Sequence, residues 1–330
     1  VNAQKPYKLS FSPHEIFNIS NEEEFEKYAL ETFRFQWSNN AVYRRYCDLL
    51  KIDVQSINRI EKIPFLPISF FKTHPLKCFE GEPAQIFTSS GTTGMSQSKH
   101  YIKSLALYEK SFQKAFENKY GPIEDFLILG LLPSYLEREG SSLIYMVDKF
   151  IQSSKYNASG FFLDNYEEML SLIDRHKDDK ILLIGVSYAL LDLGEKFSPD
   201  LSNCLVMETG GMKGKRKEMV KSTLHATLKR NLNLNEIHSE YGMTELLSQA
   251  YSTGEKFQCP NWMRVLTRAY NDPFEYVIGK TGGINIIDLA NIYSCSFIAT
   301  DDLGKVMPDH FEVVGRYDNS DIRGCNLLVQ

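Results

Sequence analysis

The sequence predicts an α/β protein in which a helix-flanked sheet is preceded by a helical arm and followed by a small β-rich part. Three observations predict it. From residue 84 onward, short apolar runs such as FLILG, ILLIG and CLVMETGG are each followed by a helix-compatible stretch, the alternation of a sheet with helices on its faces. Residues 13 to 60 instead carry helical periodicity and dense charge. Beyond residue 275 the chain turns to strands and turns, in GGINIIDLAN, YSCSFIATDDLG and FEVVGR. The boundaries that follow are 1–78 for the arm, 79–275 for the α/β core and 276–330 for a β-rich subdomain with a short tail.

Composition narrows the function classes. A chain of 330 residues exceeds the usual single core, and 43% hydrophobic with 24% charged residues is ordinary for a globular protein. With a net charge of −5 and no basic, aromatic-interleaved stripe, nucleic acid is not an expected partner. The apolar runs from Phe126 to Leu132 and from Ile181 to Val186 are strand-length, no membrane span or signal peptide is visible, and a cytoplasmic location is expected. Six cysteines, at 47, 78, 204, 259, 295 and 325, lack CxxC or Cys/His ligand spacing, which argues against zinc and against a disulfide framework.

In chain order, Asn21 is placed to cap a helix that opens with Glu22, Glu23 and Glu24 and carries Phe25, Tyr28, Ala29 and Phe33 on one face. IPFLPISFFKTHPL, residues 63 to 76, is rich in proline and aromatics and favours an extended segment packed on the core over a helix. Ala84 to Phe87 reads as a strand, Leu105 to Phe116 as a helix, and between them lies FTSSGTTGMSQSKH. Hydroxyls on Ser89, Ser90, Thr92 and Thr93 can donate to anionic oxygens, and Gly91 and Gly94 let backbone N–H groups converge on them, so the loop suits a phosphate. A ligand-free surface turn is the alternative. The Gly-Lys-Ser/Thr ending of the Walker loop is missing and GxGxxG is absent, so neither common nucleotide fold fits.

HSEYGMTELLSQAY, residues 238 to 251, places Tyr241 and Gly242 at a turn, a hydroxyl at Thr244, and Glu245 at what reads as the start of a helical segment. Glu245 could hold magnesium while Thr244 meets a phosphate oxygen, or the pair could be a plain cap with an acidic first turn. In ATDDLGKV, Asp301 and Asp302 precede a Leu-Gly turn and could accept ribose hydroxyls, although aspartates are also ordinary turn formers. Arg316, in VGRYDNSDIRGC, could reach a ribose or phosphate, or simply pair with a surface carboxylate.

Taken in order, SSGTTG, the pair Gly210 and Gly211, YGMTE, TDDLG, and a Gly-Arg followed by IRG resemble the motif series of the adenylate-forming superfamily, which includes acyl-CoA synthetases and phenylacetate-CoA ligases. More closely, PFLPISFFKTHPL, SSGTTG, YGMTELLSQAY and IRGC resemble the LuxE-type acyl-protein synthetases, the long-chain-fatty-acid–luciferin-component ligases of bacterial light-emitting systems, over about residues 20 to 330. The resemblance implies an adenylate-forming, acyl-CoA-synthetase-like core. It implies that a fatty carboxylate attacks the α-phosphate of ATP, that pyrophosphate leaves, and that the acyl group passes to a cysteine thiol.

On that resemblance Ser89, Ser90, Thr92, Thr93 and the amides of Gly91 and Gly94 hold phosphates. Tyr241, followed by Gly242, stacks on adenine, Gly210 and Gly211 admit its plane, Thr244 bonds the α-phosphate, Glu245 holds Mg2+, and Asp302 with Arg316 grips the ribose. Pro133, Tyr135, Ser142, Val186 and Tyr188 fall in the segments that line the acyl end. Cys325, in Arg323-Gly324-Cys325, matches the acyl-accepting cysteine near the carboxyl end, where a neighbouring guanidinium favours the thiolate; a packing role in CNLLV is the alternative. The implied partners are the carboxylic acid and an acyl reductase or acyltransferase that takes the acyl group.

Two departures accompany the likeness. Relatives carry a further lid domain of about 100 residues with a lysine that serves adenylation; here 14 residues follow Arg316, none is lysine, and the lid is expected to be absent. Where the superfamily often has Pro-Lys-Gly, this chain has Ser96-Gln97-Ser98, with Lys99 and His100 following and left without a role. The competing readings are a phenylacetate-type ligase that loads coenzyme A, leaving Cys325 dispensable, and a nucleotide-binding subunit that has lost catalysis.

Overall fold

A computed structural model describes residues 7–90, 97–133, 140–163, 165–210, 216, 219–269 and 272–316. Its first helix, α1 (Glu22–Asn39), starts where expected because the Asn21 side chain accepts the Glu24 N–H at 2.9 Å. Asn40 ends α1 and at once caps α2 (Ala41–Leu49), its carboxamide oxygen accepting from Val42 and Tyr43. Phe25, Ala29 and Phe33 are buried. The decisive anchor of the arm is polar: buried Gln36 donates to the carbonyls of Asn291 and Ile292, and its oxygen accepts the Ser296 N–H at 2.9 Å.

The proline-rich segment is mostly extended, as expected. It supplies β1 (Leu66–Pro67), which pairs in parallel with a late strand, and then makes one helical turn, α3 (Phe70–Thr73), that buries Phe71. Next come β2 (Gln85–Thr88), β3 (Lys99–Ile102) and α4 (Leu105–Tyr120). Here the structure corrects the sequence reading. The hydroxyl-rich loop does not run from a strand into a helix but joins the antiparallel pair β2 and β3, and α4 follows only after that hairpin.

The main sheet then forms from β4 (Phe126–Leu131), β5 (Gly160–Phe161), β6 (Lys180–Gly185), β7 (Cys204–Glu208) and β8 (His238–Tyr241), all parallel, in the order 8-7-6-4-5. The helices α5 (Ser142–Ser153), α6 (Tyr166–Arg175), α7 (Ser187–Phe197) and α8 (Lys221–Asn231) lie in the connections. Leu127, Ile128, Leu129, Leu182, Leu183 and Ile184 are fully buried, the continuous apolar text of strands covered on both faces.

Beyond β8 the sheet turns antiparallel through β9 (Ala250–Thr253), β10 (Lys256–Gln258), β11 (Met263–Arg268), β12 (Thr281–Asp288), β13 (Phe297–Val306) and β14 (Phe311–Arg316), with β14 joining β10. The Asp-Asp-Leu-Gly stretch, read from sequence as a turn, lies inside β13. A register shift falls at Leu303/Gly304, where a side chain on Gly304 would meet the Glu312 carbonyl at 2.4 Å. The carboxyl ends of β4, β6, β7 and β8 open on one edge, the edge where open α/β sheets place ligands. No helix among the described residues is long and apolar enough to cross a membrane.

Candidate active site

The neck of the hydroxyl-rich loop is closed by reciprocal bonds. The Ser89 N–H donates to the Ser98 carbonyl at 3.1 Å, the Ser98 N–H donates to Ser89 Oγ at 3.0 Å, and Thr88 N–H reaches the Gly140 carbonyl at 2.7 Å. Ser90 is exposed at the tip side of this neck. Gly91, Thr92, Thr93 and Gly94 lie outside the described residues, as do Gly211, Tyr135 and Cys325.

The returning strand brings His100 into the core. Its ring is 1% exposed; Nδ1 lies 2.9 Å from the Thr244 carbonyl and Nε2 lies 2.8 Å from Ser294 Oγ. A carbonyl only accepts, so Nδ1 carries the proton and Nε2 accepts from the serine. Burial pulls the imidazole pKa down to about 4, against the pull of the Thr244 carbonyl, so the ring is neutral at pH 7. His100 therefore ties the hairpin that carries the hydroxyl-rich loop directly to the Tyr-Gly-Met-Thr-Glu segment.

That segment is irregular, which corrects the expectation of a helix beginning at Glu245. Its amides are taken elsewhere. Leu247 and Ser248 N–H groups each donate to Asp288 Oδ2 at 2.9 Å, the Ser248 hydroxyl donates to Asp288 Oδ1 at 2.6 Å, and Asn291 donates to the Glu245 carbonyl at 2.7 Å. A helix would need those amides for its own ladder. Glu245 is buried at 6% exposure, and burial raises its carboxyl pKa, held back by Ser98 and by the charges of Arg316 and Lys72. Among the described residues Ser98 Oγ is buried without a hydrogen-bond partner.

At the start of the same segment, the Tyr241 hydroxyl donates to Asp302 Oδ2 at 2.7 Å and Arg316 Nε donates to Asp302 Oδ1 at 2.8 Å. Asp302 and Arg316 are direct cross-strand partners on β13 and β14. Asp301 is exposed where Asp302 is buried, so strand alternation settles which aspartate faces the tyrosine. Burial first, and then the Asp302 carboxylate, push the Tyr241 phenol far up; its ring packs edge-on against Phe257 and Phe311. Gly210 takes φ +73°, and its N–H donates to Glu208 Oε2 at 2.7 Å. Glu208 also accepts from Ser187 and pairs with Lys221 at 3.2 Å; burial opposes its charge, but His225, Lys221 and Ser239 outweigh that and lower its pKa to about 2.

The structure thus brings together Ser89, Thr244, Glu245, Tyr241, Asp302, Arg316 and Gly210 at one edge of the sheet. Pro133 and Val186 follow β4 and β6 at the same edge, and Ser142 and Tyr188 open α5 and α7. Sequence reasoning missed Glu208, His100, Asp288, Asn291 and Ser294. A weak signal existed in DLAN, residues 288 to 291, and in Glu208, each a polar interruption next to an apolar run.

Residues 6–114 match the family described as acyl-protein synthetase, LuxE. A long-chain-fatty-acid–luciferin-component ligase of Photorhabdus luminescens is 41% identical over 71 residues, 21% of this chain and 60% of that relative. The similarity to this family thus lies in the amino-terminal third of the chain. The ligase of the same description from Vibrio harveyi is 21% identical to this chain over 332 residues, covering 89% of it and 84% of the relative. Among solved structures, 2-hydroxyisobutyryl-CoA ligase in complex with 2-HIB-AMP and CoA superimposes with TM-score 0.66 at 14% identity, over 91% of this chain and 70% of that one. ATP-bound MatB from Rhodopseudomonas palustris gives TM-score 0.53 at 16% identity over 72% and 49%. The fold is that of the adenylate-forming CoA ligases.

Proposed function

We propose that this chain activates a fatty carboxylic acid with ATP and hands the acyl group to a cysteine thiol. The observation that carries the reading is the His100 bridge. His100, on the strand that leaves the hydroxyl-rich loop, is bonded to Thr244 144 residues away, which supports a reading in which the two motifs serve one ligand. In the reaction a carboxylate oxygen bonds to the α-phosphorus of ATP and pyrophosphate leaves. A thiolate then attacks the acyl carbon, AMP leaves, and a thioester remains.

Ser89, Ser90, Thr92, Thr93 and the amides of Gly91 and Gly94 take the phosphates, Thr244 takes the α-phosphate, and Gly210 with Tyr241 flanks adenine. Asp302, steadied by Arg316, takes the ribose. No group of three His, Cys, Asp or Glu side chains able to hold a metal occurs among the described residues, and the single carboxylate of Glu245 fits Mg2+, which is commonly held by one or two carboxylates plus phosphate oxygens. The metal would neutralise phosphate charge there. Cys325 is the proposed acceptor.

Mass spectrometry after incubation with ATP, magnesium and fatty acid tests the proposal. Acyl mass on the Cys325 peptide is expected. Cys325→Ala should lose loading while keeping ATP–pyrophosphate exchange, and Glu245→Ala should lose exchange. Unmodified protein with acyl-CoA formed would replace the cysteine by coenzyme A as acceptor.

A further inference from the structure

We propose that the acyl end of this site is built for an acid bearing a hydroxyl group close to its carboxylate, hydrogen-bonded by Glu240, Gln249 and Tyr251. The inference rests on the adenylating reading above and narrows its substrate class. The pairing of β8 with β9 sets Glu240 opposite Tyr251 and Tyr241 opposite Ala250. Side chains alternate along strands, so Glu240, Gly242, Gln249 and Tyr251 share one face, opposite the one on which Tyr241 meets Asp302.

That shared face is the one α4 covers: the Tyr251 ring lies edge-on to Phe116 at 5.9 Å and to Tyr120 at 5.6 Å. Tyr108, also on α4, donates to the carbonyl of Ser142 at 2.9 Å, so the acyl-side candidate Ser142 borders it.

Two polar atoms on this face lack partners among the described residues. The Tyr251 hydroxyl and Gln249 Oε1 are buried without a hydrogen bond, in residues 2% and 3% exposed. Glu240 lies on the same face and is half-buried. Buried polar groups in folded proteins are nearly always paired, so a cluster of unpaired ones marks a place where a ligand completes the set.

Gly242 explains how they are reached. Its φ is not positive, so no backbone demand calls for glycine; a Cβ there would fall 2.2 Å from Glu240 Oε1 and 3.4 Å from Gln249 Cγ. The residue is glycine to make room for the Glu240 carboxyl, directly beside the segment that carries Thr244. Burial, with Glu208 adding and Lys221 opposing, raises the Glu240 pKa to about 8. An uncharged carboxyl both donates and accepts, does not repel the substrate carboxylate, and matches a hydroxyl, which also does both. A plain alkyl chain laid on this face would leave the Tyr251 hydroxyl and Gln249 Oε1 unpaired, the situation in which enzymes discriminate most strongly against a substrate lacking a hydroxyl.

The test is ATP–pyrophosphate exchange by the full chain at pH 7 with octanoate, 2- and 3-hydroxyoctanoate, and 3-aminooctanoate. We expect kcat/KM for a hydroxy acid to exceed that for octanoate by about 10-fold or more. Glu240→Leu and Tyr251→Phe should bring that ratio toward one, while Tyr251→Phe, which deletes an unpaired buried hydroxyl, keeps or raises the melting temperature. Octanoate or the amino acid used as well as the hydroxy acids, or a ratio unchanged in both variants, overturns the inference and leaves the adenylating reading intact. No exchange with any acid removes both.

Discussion

The two sides of the candidate site are held in opposite ways. Under Thr244 and Glu245 the backbone is fixed by neutral or buried partners: His100, Asn291 and the fully buried Asp288. Around Tyr241 the fixing is done by a charged pair at the sheet's rim, where the Arg316 side chain is 77% exposed. Deep hydrogen bonds in a dry interior are costly to lose and insensitive to salt, whereas a rim ion pair is screened and worth little alone. The side proposed to take phosphate is therefore preorganised before any ligand arrives, and the side proposed to take ribose is adjustable.

Asp288→Ala strikes the rigid side hardest. It orphans the amides of Ser248 and Ala290 and leaves Leu247 with Asn291 alone, and a loss of about 3–5 kcal/mol is expected in urea unfolding. A loss below about 1 kcal/mol would erase the contrast.

His100 sharpens it. His100→Ala should lower the exchange rate roughly 10- to 100-fold through misplacement of Thr244. Asn, whose amide can stand at Nδ1, should restore most of it, and Gln, which reaches toward Nε2, should not. Because the folded pKa is about 4 against 6.5, the unfolded chain binds more protons between those values. The histidine's stabilising share is complete above about pH 6.5 and fades as pH falls toward 4, so His100→Asn should flatten unfolding stability measured across that window.

Arg316→Gln is the smallest effect: under about 1 kcal/mol of stability, with a few-fold rise in KM for ATP that high salt reproduces in the wild type.

How far all this was legible in the sequence follows from how local each feature is. FLILG, ILLIG and CLVME declared themselves as buried parallel strands, and Asn21 declared its helix, because pattern and cap are written within a few residues. Residues 99 to 102 did not, since four residues of mixed polarity become a strand only by pairing with β2 across the loop. Glu245-Leu246-Leu247-Ser248 reads as helix in isolation and is denied one by Asp288 and Asn291, more than 40 residues away. The Asp301-Asp302 pair looked like a turn because the register shift that accommodates Gly304 depends on β14. Motif order was legible; the polar clamp beneath the motifs was not.

Gln36 has a consequence of its own. The carbonyls it grips, at Asn291 and Ile292, belong to the same short turn whose Asn291 and Ser294 side chains steady Glu245 and His100. Helix α1 is thus fastened to the back of the very hinge-pin that the ligand edge leans on from the front. Shortening the protein at its amino end to isolate a smaller catalyst would leave that pin loose, and activity should fail long before the sheet itself melts.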